Sequence, residues 1–314
     1  IYKMAMLTTS PEITKKHMIT TPNECASTFT LQGLETQVSS KQDMVRTGKY
    51  LSPNTTDVYN SWIVVADGHG VGNIINTFKK ADWNAIMESE NTMALIYKMV
   101  GSLKNTICDG TTLSVVKITP EGIKCWWVGD SQIRIFRDKK EYWKSNNHNS
   151  QNNEEMERIR KTNIKTEGSW TLSVLDEECL SMRRSHYFHH NINGGIEKLA
   201  MTRALGHNNG VYPFVESQFI TFEKDKKYSW KIIVASDGLW DVIGEEDTLL
   251  LASSKTTAKS LTDIALNRWM QEWIYVEPFN TLPLSTIKKD NMRMKEKIQG
   301  CGDDIGIAVW SDIA

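Results

Sequence analysis

The strongest constraint on the fold is a set of short strand-like segments separated by turn residues. Each segment has six to eight residues, is rich in β-branched or aromatic side chains, and is bounded by glycine, aspartate or proline. The segments are SWIVVA (61–66), TTLSVVKI (111–118), IKCWWV (123–128), QIRIFR (132–137), SWKIIVA (229–235) and IGIAVW (305–310). TPEG (119–122) and GDS (129–131) are expected to be tight turns, which join antiparallel neighbours. We therefore expect antiparallel sheets.

Helical periodicity appears between the strands. Residues 73–105 carry apolar side chains at three- and four-residue steps in at least two segments, and 154–161 is predicted to be a short charged helix. A third helix is predicted over 258–274. Its apolar face would carry Leu261, Ala265, Trp269 and Trp273. Helices that pack outside antiparallel sheets define an α+β protein.

Three stretches have weaker patterns. Residues 1–40 give only weak strand signals, and the polar, low-complexity stretch SNNHNSQNN (145–153) predicts a loop. Residues 277–300 form an insertion that is basic toward its end, for which a solvated loop is expected. We expect one domain over residues 1–314.

Composition excludes several classes of protein. The 314 residues carry a net charge of −1, so nucleic acid and anionic membranes are not expected partners. The longest apolar runs, such as IIVA (232–235), are too short to span a bilayer. The five cysteines are widely spaced without a CxxC pair, which favours free thiols in a reducing compartment. We expect an intracellular monomer, cytoplasmic or nuclear.

The segment WIVVADGHGVGN (62–73) ends a buried strand in an acid, a glycine and a histidine. Its glycine spacing does not match the dinucleotide fingerprint, and the chain contains no GKS or GKT for a phosphate loop. A metal site is the better interpretation, because Asp67 offers carboxylate oxygen and Gly68 can turn its carbonyl inward. His69 can donate a proton to a leaving group. The alternative is that Asp67 and His69 are structural turn residues.

Other acids also lie at strand ends. Asp130 follows CWWVG, Asp237 follows IIVAS, and Asp303 precedes IGIAVW. With Asp67, four acids at the ends of hydrophobic strands would be costly unless they converge on cations. Asp130, in a tight turn, is equally well explained as a structural residue.

Five segments, in order, resemble the metal-dependent serine/threonine protein phosphatases of type 2C. They are VVADGHG (64–70), WWVGDSQIRIFR (126–137), LAMTRALG (199–206), IIVASDGLWDVIGEED (232–247) and GDDIGIAV (302–309). GTTLSVV (110–116) and NNHNSQNNEEMERIR (146–160) are similar to further segments of that family. The resemblance spans about residues 40 to 312.

The resemblance implies a four-layer α-β-β-α sandwich with two Mn²⁺ or Mg²⁺ ions at one edge. Asp67 would bridge both metals, the Gly68 carbonyl would bind one, and Asp237 and Asp303 would complete the other. Asp130 matches a residue that helps to hold a third, weaker metal in some members.

The resemblance also implies the reaction. A water molecule bridging the metals becomes hydroxide near neutral pH and attacks the phosphorus of a phosphoserine or phosphothreonine in a protein substrate. His69 matches the proposed general acid.

The chain departs from the family pattern in its first acidic motif. KQDM (41–44) is the best match; Asp43 keeps the second acid, and Gln42 replaces the commoner glutamate. Val38 stands where many members have an arginine that grips phosphate, and Arg46 is a candidate substitute.

Two further departures follow later motifs. His207 stands where the family has aspartate, and Asp304 where it has asparagine. A pseudophosphatase, a binding or regulatory module on the same fold, is therefore the alternative function. HYFHH (186–190) is expected to be a solvated loop rather than a zinc site, and Asp241 to be a helix-start acid.

Overall fold

The fold contains three antiparallel sheets and seven α-helices within the residues described by the computed structural model. These residues are 14–21, 24–30, 42–52, 58–103, 106, 108–162, 164–174, 180–192, 195–223, 226–244, 247–269, 273–276 and 303–312.

The first sheet has six strands in the order β1-β2-β17-β15-β8-β9. Their bounds are Thr14–Thr21 (β1), Glu24–Thr30 (β2), Gln132–Arg137 (β8), Lys140–Lys144 (β9), Trp230–Ala235 (β15) and Ile305–Ser311 (β17). The hairpin of β1 and β2 lies within the segment 1–40, for which only weak strand signals were found.

The second sheet has seven strands, in the order β13-β5-β4-β6-β7-β14 with β3 paired to β4. Their bounds are Asp43–Leu51 (β3), Tyr59–Gly70 (β4), Asp109–Thr111 (β5), Leu113–Thr119 (β6), Gly122–Val128 (β7), Leu205–Gly206 (β13) and Glu216–Thr221 (β14). The turn TPEG joins β6 and β7 as a hairpin, as predicted. The GDS turn instead carries the chain from β7 in this sheet to β8 in the first sheet.

A third sheet of four strands was not predicted. Its order is β12-β11-β10-β16, with bounds Lys165–Val174 (β10), Leu180–Ile192 (β11), Gly195–Leu199 (β12) and Trp273–Val276 (β16). The prediction of a loop at 186–190 was wrong, because this segment pairs within β11. Phe188 and His190 are buried and His189 between them is only half-buried, which is the alternation of burial expected of a strand.

Seven helices accompany the sheets. Their bounds are Asn73–Lys80 (α1), Trp83–Glu88 (α2), Thr92–Gly101 (α3), Asn153–Arg160 (α4), Asp237–Trp240 (α5), Thr248–Ala252 (α6) and Ala258–Trp269 (α7). The third predicted helix ends earlier than expected. Leu261 and Ala265 are buried on α7, but Trp273 belongs to β16. Among the described residues, no helix is long and apolar enough to cross a membrane.

Alternation along the strands explains the layers. In β4, Trp62, Val64 and Ala66 pack with residues of α1, α2 and α3. Ile63 and Val65 face the other way, into a core shared by strands of the two larger sheets. In the first sheet, one face contributes to that shared core and the other packs against α5, α6 and α7. These layers confirm the predicted α-β-β-α sandwich.

Two other predictions concern irregular segments. The stretch 145–153 is mostly loop between β9 and α4, as expected, although Ser145 and His148 within it are buried. The insertion 277–300 lies outside the described residues.

Candidate active site

The first pair of acids meets at the paired ends of two antiparallel strands. Asp43 begins β3 and stands opposite Asp67 in β4. Gly68 donates its backbone N–H to the carbonyl of Gln42 over 3.0 Å, which continues the pairing. Asp43 is buried, and its Oδ2 accepts a hydrogen bond of 2.6 Å from the hydroxyl of Ser236. Ser236 therefore connects this pair of acids to the first sheet.

Two threonines fix the backbone of Asp67. Its N–H donates to the hydroxyl of Thr112 over 3.1 Å, and its carbonyl accepts from the Thr112 N–H and the Thr111 hydroxyl, both over 2.9 Å. Because these bonds satisfy the backbone, the carboxylate of Asp67 is positioned by β5 and β6.

The second pair of acids comes from the first sheet. β15 and β17 are antiparallel neighbours, so the end of β15 lies beside the start of β17. Asp237 follows β15 as the first residue of α5, and Asp303 precedes β17. Asp303 accepts a hydrogen bond of 2.8 Å from the N–H of Asp304. The two acids therefore lie at one edge of the sheet.

Asp241 does not start a helix, so its predicted role was wrong. It follows the last residue of α5 and donates its N–H to the Asp237 carbonyl over 2.7 Å. A helix C-terminus is unfavourable for an acid, so the helix dipole does not explain its position. Burial is the main cause that raises the pKa of Asp130, Asp237 and Asp303, and the charge of Asp241 raises each of them further, which makes Asp241 a further member of the cluster.

Asp130 lies in a turn built for close packing. Gly129 has φ 96°, and a Cβ there would lie 2.6 Å from the Thr112 methyl carbon. Gly129 donates its backbone N–H to the imidazole Nδ1 of His148 over 3.0 Å. The backbone N–H of His148 donates to the Gly129 carbonyl, also over 3.0 Å. His148 is fully buried, so it anchors the turn that presents Asp130.

The acids raise one another's pKa values. Burial raises the pKa of Asp67 well above its ordinary value, and the charges of Asp237 and Asp43 raise it further. For Asp43, burial and the charges of Asp304 and Asp303 outweigh the hydrogen bond from Ser236 and raise the pKa to about 7. Such mutual repulsion is typical of sites that hold cations.

The donor set fits divalent cations. The Oδ1 atoms of Asp43, Asp130 and Asp237 are buried and have no hydrogen-bond partner among the described residues. Carboxylate oxygens are the ligands that Mg²⁺ and Mn²⁺ prefer. In the described part of the chain, no three acidic, histidine or cysteine side chains are grouped tightly enough to form a ready-made metal cage. The acids are close enough together to raise one another's pKa values, and we call them the acid cluster.

His69 contacts a second histidine. Its Nε2 lies 2.6 Å from Nε2 of His207, and the rings stack with centroids 4.7 Å apart. Burial, followed by the neighbouring His207, lowers the pKa of His69 to about 3. A general acid must carry a proton, so this environment opposes the role predicted for His69. The negative charge of a substrate phosphate would act in the opposite direction.

The departures from the family pattern have defined places. Gln42 donates its backbone N–H to Asp304 over 2.7 Å and its side-chain amide to the Gly70 carbonyl over 3.3 Å. Arg46 donates to the carbonyls of Val45 and Lys79, so in this structure it binds backbone oxygens. Val38 lies outside the described residues.

Four residues that hold the site were not among the predicted site residues. Their signals were local and weak: each adjoins, or lies within, a motif that was identified. They are Thr112 in GTT, His148 in the polar loop, His207 after TRALG and Ser236 before Asp237.

Comparison with known proteins identifies the family. A family model described as protein phosphatase 2C matches residues 70–272. Among similar proteins, a probable protein phosphatase 2C 76 from Arabidopsis thaliana is 28% identical over 225 residues, which is 65% of this chain and 48% of the relative. A probable mitochondrial protein phosphatase 2C from Oryza sativa is 28% identical over 167 residues, 51% of this chain and 39% of the relative. The chain belongs to the protein phosphatase 2C family, and it spans about half the length of these relatives or less.

Solved structures agree on the fold. A serine-threonine phosphatase 2C from Toxoplasma gondii superposes with a TM-score of 0.55 at 14% identity, covering 96% of this chain and 99% of that one. A sex-determining protein from C. elegans superposes with a TM-score of 0.50 at 17% identity, covering 89% of this chain and 63% of that one. The family-model match begins at Gly70 and ends before Asp303, so the metal roles of Asp67, Gly68 and Asp303 remain predictions.

Proposed function

We propose that this chain is a metal-dependent protein phosphatase that hydrolyses phosphoserine and phosphothreonine in protein substrates. The observation that carries the proposal is the acid cluster, in which strand ends from two sheets bring together buried carboxylates that lack partners. Replacing such acids by neutral residues would relieve repulsion, so their presence needs a ligand of opposite charge. Divalent cations are such ligands, and a phosphatase that acts on a phosphate dianion requires them to offset the negative charge.

Two Mn²⁺ or Mg²⁺ ions would be held by Asp67, Asp237, Asp303, Asp43 and the carbonyl of Gly68. When bound, the cations would offset the charge of the phosphate and lower the pKa of water.

Asp130 and Asp241 would hold a third, weaker cation. His148 orients the turn that carries Asp130 through its hydrogen bond with Gly129. The polar residues thus keep the carboxylates of the acid cluster in fixed positions.

His69 would serve the leaving oxygen. His69 lies two residues beyond Asp67 in β4, so the two side chains leave the strand on the same side. The proton that it donates would neutralise the serine or threonine alkoxide as the phosphorus–oxygen bond breaks. This step is needed for an alkoxide and much less for an aryl leaving group.

The test compares one site variant with one surface variant. Chelator-treated protein is assayed on a phosphopeptide over a Mn²⁺ titration. Asp67→Asn should reduce turnover to below a few per cent, with an unchanged circular dichroism spectrum. Asp263→Asn, the same chemical change on the exposed face of α7, should keep full activity. Mn²⁺-dependent turnover that survives Asp67→Asn would contradict the assignment.

A pseudophosphatase is the second candidate, and Gln42 is the observation that favours it. Its side-chain amide hydrogen-bonds to the Gly70 carbonyl and brings no negative charge. That function predicts Mn²⁺ binding, measured by calorimetry, without turnover of a phosphopeptide or of p-nitrophenyl phosphate.

A further inference from the structure

His207 is fully buried and contacts His69, the residue proposed to serve the leaving oxygen. Its Nε2 lies 2.6 Å from Nε2 of His69, and the two rings are inclined by only 24°. Two imidazole nitrogens at this distance must share one hydrogen, so one donates and the other accepts. The contact is therefore a hydrogen bond with a defined direction, in addition to ring packing.

The backbone around His207 is built to hold that ring. His207 has φ 50° and Asn208 φ 47°, a left-handed conformation that non-glycine residues seldom adopt. The carbonyl of His207 accepts from the N–H of Gly210 over 2.8 Å, and Thr106 donates its hydroxyl to the Asn208 side chain over 2.6 Å. Strained conformations persist only where surrounding contacts determine them, and here these contacts fix the imidazole of His207.

Gly110 leaves room for the two rings to meet. In β5 it stands opposite His69 of β4 on one side and opposite Gly206 of β13 on the other. A Cβ at Gly110 would lie 2.2 Å from Nε2 of His207 and 2.4 Å from Nε2 of His69. The glycine in the middle strand thus creates the space in which His69 of β4 and His207, the residue after β13, form their hydrogen bond.

The remaining nitrogen of His69 has a different environment. Its Nδ1 is buried and has no hydrogen-bond partner in the described part of the chain. A buried polar atom without a partner is unfavourable unless water or a ligand reaches it. Because Nε2 is used by His207, Nδ1 is the nitrogen that His69 has left for a ligand.

We propose that His207 is a positioning residue for His69: it fixes the imidazole through the Nε2–Nε2 hydrogen bond and leaves Nδ1 to face the leaving oxygen of the substrate. The proposal rests on the proposed phosphatase function. For His69 to donate a proton from Nδ1 and end as a neutral ring, it must also carry a hydrogen on Nε2, so the hydrogen between the rings belongs to His69 and Nε2 of His207 accepts it. The negative charge of a bound phosphate favours the second hydrogen on His69. His207 does not touch the substrate in this arrangement.

The first experiment removes and restores the hydrogen bond. His207→Leu keeps apolar volume but cannot accept a hydrogen bond, whereas the side-chain oxygen of His207→Gln can still accept one from Nε2 of His69. We expect His207→Leu to lower kcat on a phosphopeptide roughly tenfold or more, with a much smaller loss on p-nitrophenyl phosphate, whose leaving group departs without a proton. His207→Gln should recover most of the phosphopeptide rate. Equal losses on both substrates, or equal losses in both variants, would overturn the proposal.

A second measurement tests the route through His69. In the His69→Gln background, His207→Leu should cause no further loss, because the residue through which His207 acts is already gone. A further tenfold loss there would assign His207 a purely structural role. Urea unfolding of each variant establishes that the compared proteins are folded.

A spectroscopic measurement does not depend on turnover. In ¹⁵N-histidine NMR spectra, the wild type without substrate should show His69 as a neutral ring with its hydrogen on Nε2, and His207→Leu should change that tautomer population. If the wild type showed no Mn²⁺-dependent hydrolysis, the phosphatase proposal would fail, yet these spectra would still decide whether His207 fixes His69. A His69 tautomer that is the same in wild type and His207→Leu would refute the positioning role.

Discussion

Glu155 joins α4 to the TRALG motif (202–206), and its removal should be costly. Its side chain is only 1% exposed, and its Oε1 accepts from Nε and Nη2 of Arg203 over 3.0 and 2.5 Å. Its Oε2 accepts from Arg158 over 2.8 Å and from the hydroxyl of Thr202 over 2.5 Å. Arg203 also pairs with Glu216 over 3.0 Å. Glu155→Gln would leave two guanidinium groups without their main partner.

The pKa of Glu155 gives the magnitude. Burial alone would raise it, but the hydrogen bonds from Arg203, Arg158 and Thr202 outweigh burial and lower it from 4.5 to about 2. That lowering corresponds to roughly 3 kcal/mol of stability, which agrees with the cost of about 3–5 kcal/mol for breaking a buried ion pair. A carboxyl whose pKa falls on folding stabilises the protein above pH 4.5, and this contribution is lost as the pH falls from 4.5 to about 2.

The assay is urea unfolding of wild type and Glu155→Gln, followed by tryptophan fluorescence, over a range of pH. At pH 7 the variant should be less stable by about 3 kcal/mol, and the difference should shrink below pH 4.5. The difference between proteins is used because the acid cluster also titrates. The matched control is Glu157→Gln, on the same helix in an exposed pair with Lys161, which should change stability by less than about 0.5 kcal/mol. A Glu155→Gln variant within about 1 kcal/mol of wild type at pH 7 would refute the reasoning.

Three other outcomes are expected. Gln42→Glu adds negative charge to the acid cluster and should lower the Mn²⁺ concentration for half-maximal activity about tenfold, or ~1.4 kcal/mol; unchanged midpoints would remove Gln42 from the metal site. Burial lowers the pKa of Lys231 from 10.5 to about 8, so the unfolded chain binds more protons between these values. Stability should therefore rise with pH across that window, and Lys231→Met should abolish the rise in urea titrations. Gly110→Ala should displace His69 and His207 and lower phosphopeptide turnover more than turnover of p-nitrophenyl phosphate, and equal effects would contradict the geometry.

The strands and their terminal acids could be predicted because their signals are local. The apolar segment 62–66 of β4 leads directly into Asp67, and β15 ends two residues before Asp237; antiparallel pairing follows from short turns. The same local rules failed for HYFHH, because its three histidines resemble a polar loop and its strand structure depends on pairing with β10 and β12. They also failed for Asp241, since a helix of four residues gives no periodic pattern that would fix its start.

The contacts that hold the site could not be predicted, because they join distant parts of the chain. Ser236 and the carboxylate that it binds, Asp43, are 193 residues apart, and Gln42 and Asp304 are 262 residues apart. No pattern within a window of the sequence encodes such a pair. The contact of His207 with His69 is also between distant parts of the chain. It depends on β5 lying between β4, which carries His69, and β13, which His207 follows.

The topology explains why so many acids share one edge. β3 and β4 are antiparallel, so the start of one and the end of the other place Asp43 beside Asp67; β15 and β17 do the same for Asp237 and Asp303. Each sheet thus brings one pair of carboxylates to the acid cluster, and the two pairs raise each other's pKa values. This repulsion weakens the metal-free fold, and a cation that binds only the folded chain returns stability in proportion to RT ln(1 + [L]/Kd), about 2.7 kcal/mol at one hundred times Kd. An arrangement that binds cations tightly must therefore be less stable without them.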